Sequence, residues 1–172
     1  MKWFFLILIL FFTVGCTSDK DNDLLEKFTT KLDYHKKLKQ TEKVQLYENN
    51  VTKAMLTATY LYTSSFENND TRDEAFIIGV HLEDEAISSI SQYGYSLTLN
   101  GSTPHKIKSL DHDSKRLKYS SFITEWGSYY LVTFPHTSQK SFDLVFQNAR
   151  YGKGVLHFAK IAKYALEEEN IK

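Results

Sequence analysis

The sequence predicts a mainly β protein, an antiparallel β-sandwich with one N-terminal amphipathic helix, and three observations carry that prediction. Phe, Tyr and Trp make up 15% of the 172-residue chain, with 11 Tyr and 12 Phe, and such residues favour pleated, half-buried surfaces. With only 7 Gly and 2 Pro, the composition is that of an ordered domain rather than a disordered or low-complexity one. From about residue 41 onward, apolar residues alternate or run in short segments separated by turn-forming clusters, with no helical stretch between them. Seven to nine short strands at that spacing specify a sandwich, for which an immunoglobulin-like order is one arrangement.

The elements follow in chain order. From Asn22 to about Leu38 the apolar positions Leu24, Leu25, Phe28, Leu32 and Tyr34 recur every three to four residues, which places them on one helical face. Asp21 or Asn22 can cap its start, and the HKKLK end suits a helix C-terminus through the dipole. TEKVQLY, TKAMLTATYLYT and EAFIIGVHL then read as strands, with ENN and ENNDTRD as the turns between them. Phe76, Ile78, Val80 and Leu82 share one strand face. In YSLTLNG, Tyr95, Leu97 and Leu99 alternate into Asn100-Gly101, a dipeptide that favours a tight hairpin because both residues tolerate positive φ. HKIKSL is the expected return strand, with Ile107 inward, lysines outward and Pro104 marking a sheet edge. YSSFITEW, SYYLVTF and SFDLVFQ are three further strands, and a last one is expected from Lys153 to about Ile161.

The N-terminus tells where the chain is made to go. Met1 and Lys2 precede an apolar run from Trp3 to Gly15, too short for a membrane span of about 20 residues but of the length and flanking charge of a secretory signal peptide. The only cysteine, Cys16, follows directly, and a wholly polar TSDKDND comes after it. Thr13-Val14-Gly15-Cys16 resembles the lipobox of bacterial lipoproteins, with Thr13 where that family usually carries Leu. The resemblance implies lipidation of the Cys16 thiol, cleavage just before it and acylation of the new N-terminus. It also implies delivery to the outer membrane, facing the periplasm, since Thr17 rather than Asp follows the cysteine. The expected organisation is thus a signal peptide at 1–15, the lipidated cysteine and a flexible tether at 16–23, and a single sandwich domain with its N-terminal helix at 24–172. With Cys16 consumed, no thiol is left for a disulfide, a nucleophile or a zinc site.

Local chemistry is sparse. Lys plus Arg and Asp plus Glu both total 21, so no overall basic field draws the chain to nucleic acid, and none is expected as a partner. The six histidines form no HExxH, and Asp111-His112-Asp113 would split its ligands across two faces if extended, so it reads as a solvated turn. No nucleophile elbow, P-loop or dinucleotide motif occurs; no catalytic residue, metal or cofactor is assigned. Glu83-Asp84-Glu85 and Glu167-Glu168-Glu169 read as solvated surface. Trp126, Tyr129, Tyr130 and Phe134 could build a sugar-binding face, but on one strand Trp126, Tyr130 and Phe134 would share a side and Tyr129 take the other, and core packing accounts for most of that.

Glu48-Asn49-Asn50-Val51-Thr52 and Glu67-Asn68-Asn69-Asp70-Thr71 resemble the extended acceptor sequence of bacterial N-linked glycosylation, which implies Asn50 and Asn69 as acceptors in exposed turns. Asn100-Gly101-Ser102 lacks the acidic residue and is expected to stay bare. Taken together, the residues lead to a lipid-anchored cell-envelope protein whose sandwich is a non-catalytic binding or assembly module for an envelope protein or glycan. A lipoprotein hydrolase with a dispersed active site is the alternative.

Overall fold

The computed structural model describes residues 29–32, 34–63, 70–83, 90, 94–118 and 120–160. The chain divides into two compact units, Met1–Asp33 and Tyr34–Lys172. In the first, residues 29–32 are helical; the second opens with helical residues 34–39 and continues as strands. Of the residues expected on the apolar helical face, Leu32 in the first unit and Tyr34 in the second are exposed, and Leu24, Leu25 and Phe28 lie outside the described residues.

Eight strands follow: β1 (Thr41–Glu48), β2 (Val51–Tyr60), β3 (Glu74–Leu82), β4 (Tyr95–Leu99), β5 (Lys106–Leu110), β6 (Ser128–Phe134), β7 (Ser141–Asn148) and β8 (Gly152–Ala159). All pairings are antiparallel, in one sheet of order β1-β2-β3-β6-β5 and another of order β4-β7-β8. With β1 set aside, the orders β2-β3-β6-β5 and β4-β7-β8 have the same strand order as the ABED and CFG sheets of a constant-type immunoglobulin sandwich. β1 is an addition at the edge next to β2. It turns into β2 through Asn49 and Asn50, both at positive φ (50° and 65°), the backbone a two-residue hairpin of matching twist requires. β1 also leans on β8, because Val44 fills the space where a Cβ on Gly154 would stand.

Alternation decides what is inside. Leu56, Ala58 and Tyr60 of β2, Phe76, Ile78 and Val80 of β3, and Tyr130, Val132 and Phe134 of β6 face Leu97 and Leu99 of β4, Phe142, Leu144 and Phe146 of β7, and Leu156 and Phe158 of β8 in one buried cluster. Its centre is aromatic: Tyr60 lies 4.9 Å from Phe76 and 5.2 Å from Phe142, and Phe76 meets Phe134 edge-on at 5.8 Å, geometries that add to simple area burial. A second, smaller cluster occupies the opposite face of the five-stranded sheet, where Ile77, Leu110 and Tyr129 are covered by Leu117, Phe122 and Ile123 from the β5–β6 connection.

Two elements differ from the sequence reading. Asn100 and Gly101 do form the tight turn, at φ 46° and 85°, with reciprocal backbone bonds between Leu99 and Ser102. The chain then crosses sheets, so β5 pairs with β6 and not with β4. Ile107 sits opposite Val132 on the inward side, but at this sheet edge it stays 38% exposed. The segment YSSFITEW is not a strand: from Ser120 to Gly127 it runs through turns, because Phe122 and Ile123 are drawn onto the outer sheet face. The last strand ends at Ala159, and the chain beyond Lys160 lies outside the described residues.

Candidate functional site

The outer-face segment Ser120–Gly127 creates a cleft of about 390 Å³ over β1, β2 and β3. Outward positions of three neighbouring strands supply the floor: Thr41 and Lys43 from β1, Met55 and Thr57 from β2, Gly79 and His81 from β3. Phe122, Thr124 and Gly127 form the overhanging wall. The wall sits low because Gly79 has no side chain; a Cβ there would stand 2.7 Å from Cε2 of the Phe122 ring and 3.0 Å from Tyr129. Glycine is thus required by close approach rather than by backbone angle.

Tyr129 pins this wall. Its hydroxyl oxygen accepts from the Thr124 backbone N–H at 2.6 Å and lies 3.1 Å from the Thr124 carbonyl and 3.3 Å from that of Phe122. At the other side, His81 Nδ1 lies 3.4 Å from the Trp126 carbonyl oxygen. Trp126 itself is 80% exposed and stands next in the chain to Gly127, which lines the cleft. It is therefore off the strand and does not share the core side with Tyr130 and Phe134; Tyr129 does take the opposite side, as alternation requires. Replacing Tyr129 with Phe is expected to cost about 1–2 kcal/mol in urea denaturation, from the loss of the hydroxyl bonds, and to speed amide exchange between Phe122 and Trp126. Unchanged exchange there would show that the hydroxyl does not hold the wall.

A second polar cluster lies at one end of the sandwich. The inward alternation of four strands continues one step past their apolar residues, to Tyr60 in β2, Glu74 in β3, His136 after β6 and Lys160 after β8. Glu74 is 2% exposed, yet its oxygens are fully engaged. Oε1 takes the Lys160 ammonium at 2.6 Å and the Thr137 backbone N–H at 3.1 Å, with His136 Nδ1 at 3.6 Å, while Oε2 takes the Tyr60 hydroxyl. Lys160 also donates to the Thr137 carbonyl. Burial, and then the hydrogen bond and negative charge of Glu74, push the Tyr60 hydroxyl well above the ordinary tyrosine range. Burial likewise raises Tyr130. Beside this cluster is a smaller cavity of about 210 Å³ where Asp70 grips Arg72 through both carboxylate oxygens, at 2.8 and 2.7 Å. The hydrogen bonds from Arg72 hold the Asp70 carboxyl below the usual carboxylate range, and Asp70 in turn raises Arg72, whose guanidinium stands 5.7 Å over the Tyr62 ring. These groups satisfy one another, and the arrangement ties four chain segments together.

The other residues singled out in the sequence are scattered. Asp111, His112 and Asp113 are exposed in the turn after β5, and His112 meets the Tyr129 ring edge-on at 5.2 Å. Among the described residues no three His, Cys, Asp or Glu side chains gather in a way that could hold a metal ion. Glu83 pairs with Lys53 at 2.8 Å; Asp84, Glu85 and Glu167, Glu168 and Glu169 lie outside the described residues, as do Cys16 and Asn69. Asn50 is exposed, but its positive φ puts it in the same kind of tight turn as Asn100, so turn geometry does not separate the two. What separates them is the side chain: the Asn100 amide donates to Gln139 and its oxygen accepts from the Asp143 backbone N–H at 3.0 Å. Sequence reasoning missed Gly79, Lys43 and Thr57, which carry no motif and meet only through strand register. Set against known proteins, the chain matches no family model, no curated protein and no solved structure.

Proposed function

We propose that the chain is a lipid-anchored cell-envelope protein, held through Cys16 at the outer membrane and facing the periplasm, whose sandwich is a non-catalytic binding module. Cys16, directly after a short apolar run and before a polar tether, supports the anchor. The observation that carries the binding role is Trp126. Indole is costly to leave in water, and here it stands 80% exposed on a wall held by Tyr129, beside a cleft already formed. A large uncovered ring beside a preformed concavity is a contact surface for a ligand seated there. An envelope protein or glycan is the partner class.

A photo-crosslinking residue tests this reading when placed at position 126 of the full chain in its native membrane, with position 157 on the other sheet's outer face as the comparison. Cross-linking concentrated at 126, and competed away by soluble envelope extract, is the expected result. Equal cross-linking at both positions, or none at 126, rejects the cleft as the binding site.

A further inference from the structure

We propose that the ligand of the cleft is a saccharide bearing a carboxylate, with a ring face stacked on Trp126 and the carboxylate drawn to Lys43. The inference rests on the reading of the cleft as a binding site and adds the chemistry of its occupant. Three features of the lining select that chemistry.

The first is charge. Lys43 and His81 line the cleft and no carboxylate does, in a chain whose formal net charge is zero. Of the described acids of β3 and its flanks, Glu74 lies in the core at the far end of the strand, Asp73 pairs with His105 and Glu83 with Lys53. An anion seated among these lining residues therefore faces Lys43 and no lining carboxylate. The second is the hydroxyl content. Thr41, Thr57, Ser121 and Thr124 distribute side-chain oxygens around the lining, each able to donate and accept. The Thr41 hydroxyl already bonds Thr59 and the Lys37 carbonyl and that of Thr124 lies 3.5 Å from the Tyr129 hydroxyl, so a polyhydroxylated ligand would add bonds to the lining rather than rescue unpaired groups.

The third is the flat apolar surface. A pyranose ring carries hydroxyls at its rim and C–H bonds on its faces, so it stacks on an indole while its edge hydrogen-bonds to neighbouring oxygens. Trp126 supplies the indole, and Phe122 and Met55 supply apolar surface deeper in. The cleft volume of about 390 Å³ falls in the range of small-molecule sites. A folded protein partner would instead need a broad surface, and an acidic peptide offers the lining fewer hydroxyls than a sugar ring does.

Trp126 makes the test direct, because the only other tryptophan is Trp3, ahead of Cys16. The full chain in detergent is titrated with trigalacturonate, with neutral maltotriose and with citrate, and indole emission is followed, with Trp126→Phe giving the Trp3 background. Trigalacturonate is expected to shift the Trp126 signal and to bind at least about ten-fold more tightly than either comparison ligand. Lys43→Gln, an exposed position, is expected to remove the advantage over maltotriose and leave the emission of the free protein unchanged. Equal affinity for maltotriose overturns the role of charge, and equal affinity for citrate overturns the saccharide. No response to any of the three overturns the proposal as a whole. Cross-linking at position 126 depends on none of these sugars, so it separates a wrong ligand class from a wrong site.

Discussion

Lys160→Met is expected to destabilise the domain by about 3–5 kcal/mol, because it removes the cation from a carboxylate that stays buried. Glu74 is 2% exposed and Lys160 12% exposed by side chain, so neither has water to fall back on. The Thr137 N–H and the Tyr60 hydroxyl would continue to bond Glu74, but neither carries charge. Urea denaturation near pH 7 measures the loss. The companion variant, Glu74→Leu with Lys160→Met, should recover part of it, since Phe76, Phe142 and Phe158 are close enough to Tyr60 to form an apolar surround. A remainder of about 1–3 kcal/mol should persist from the stranded Tyr60 hydroxyl and Thr137 N–H. A single variant within about 0.5 kcal/mol of the parent would mean that the pair behaves as an ordinary surface ion pair.

Cys16→Ser is expected to abolish both lipid labelling and processing, leaving full-length precursor. The chain has one cysteine, so no second thiol can take the acyl group. Each buried methylene contributes about 0.8 kcal/mol to membrane binding, and several acyl chains on one residue hold a domain at a bilayer where one alone would exchange. The variant should therefore lose tight membrane association unless its uncleaved apolar segment retains it. Radiolabelled palmitate incorporation, read alongside the size of the chain, separates those outcomes. Labelling that persists in Cys16→Ser removes the basis for the anchor.

The fold was legible where a strand has one buried face. Phe76, Ile78, Val80 and Leu82 alternate in the sequence and all four are buried in the structure, as are Tyr95, Leu97 and Leu99. Legibility failed where apolar residues serve the second, outer cluster. Phe122 and Ile123 are as apolar as a strand segment, but they pack as a turn laid across Ile77 and Tyr129, and periodicity carries no sign of that. The crossing of β5 to the other sheet was equally hidden, because Asn100-Gly101 specifies the local reversal and not the partner of the next strand. The Glu74 cluster did leave a trace: its members extend the inward alternation of their strands by one step. A charged residue in phase with a core face is a signal that composition alone obscures. The cleft left almost none, since its floor is assembled from single residues of β1, β2 and β3 placed side by side by register.

The added strand β1 has a mechanical consequence. Thr41 and Lys43 belong both to the cleft floor and to the first strand after the N-terminal segment that would carry the anchor. Tension between a membrane-held N-terminus and a ligand seated in the cleft would enter the domain at Thr41, where the Thr41 and Thr59 hydroxyls bond at 2.7 Å and Thr41 also donates to the Lys37 carbonyl at 2.6 Å. The load would pass from β1 across its ladder to β2 within the cleft floor without traversing the aromatic interior. The β1–β2 hairpin would then be the part that yields first under pull, opening from its Thr41 end while the seven-stranded remainder holds its shape.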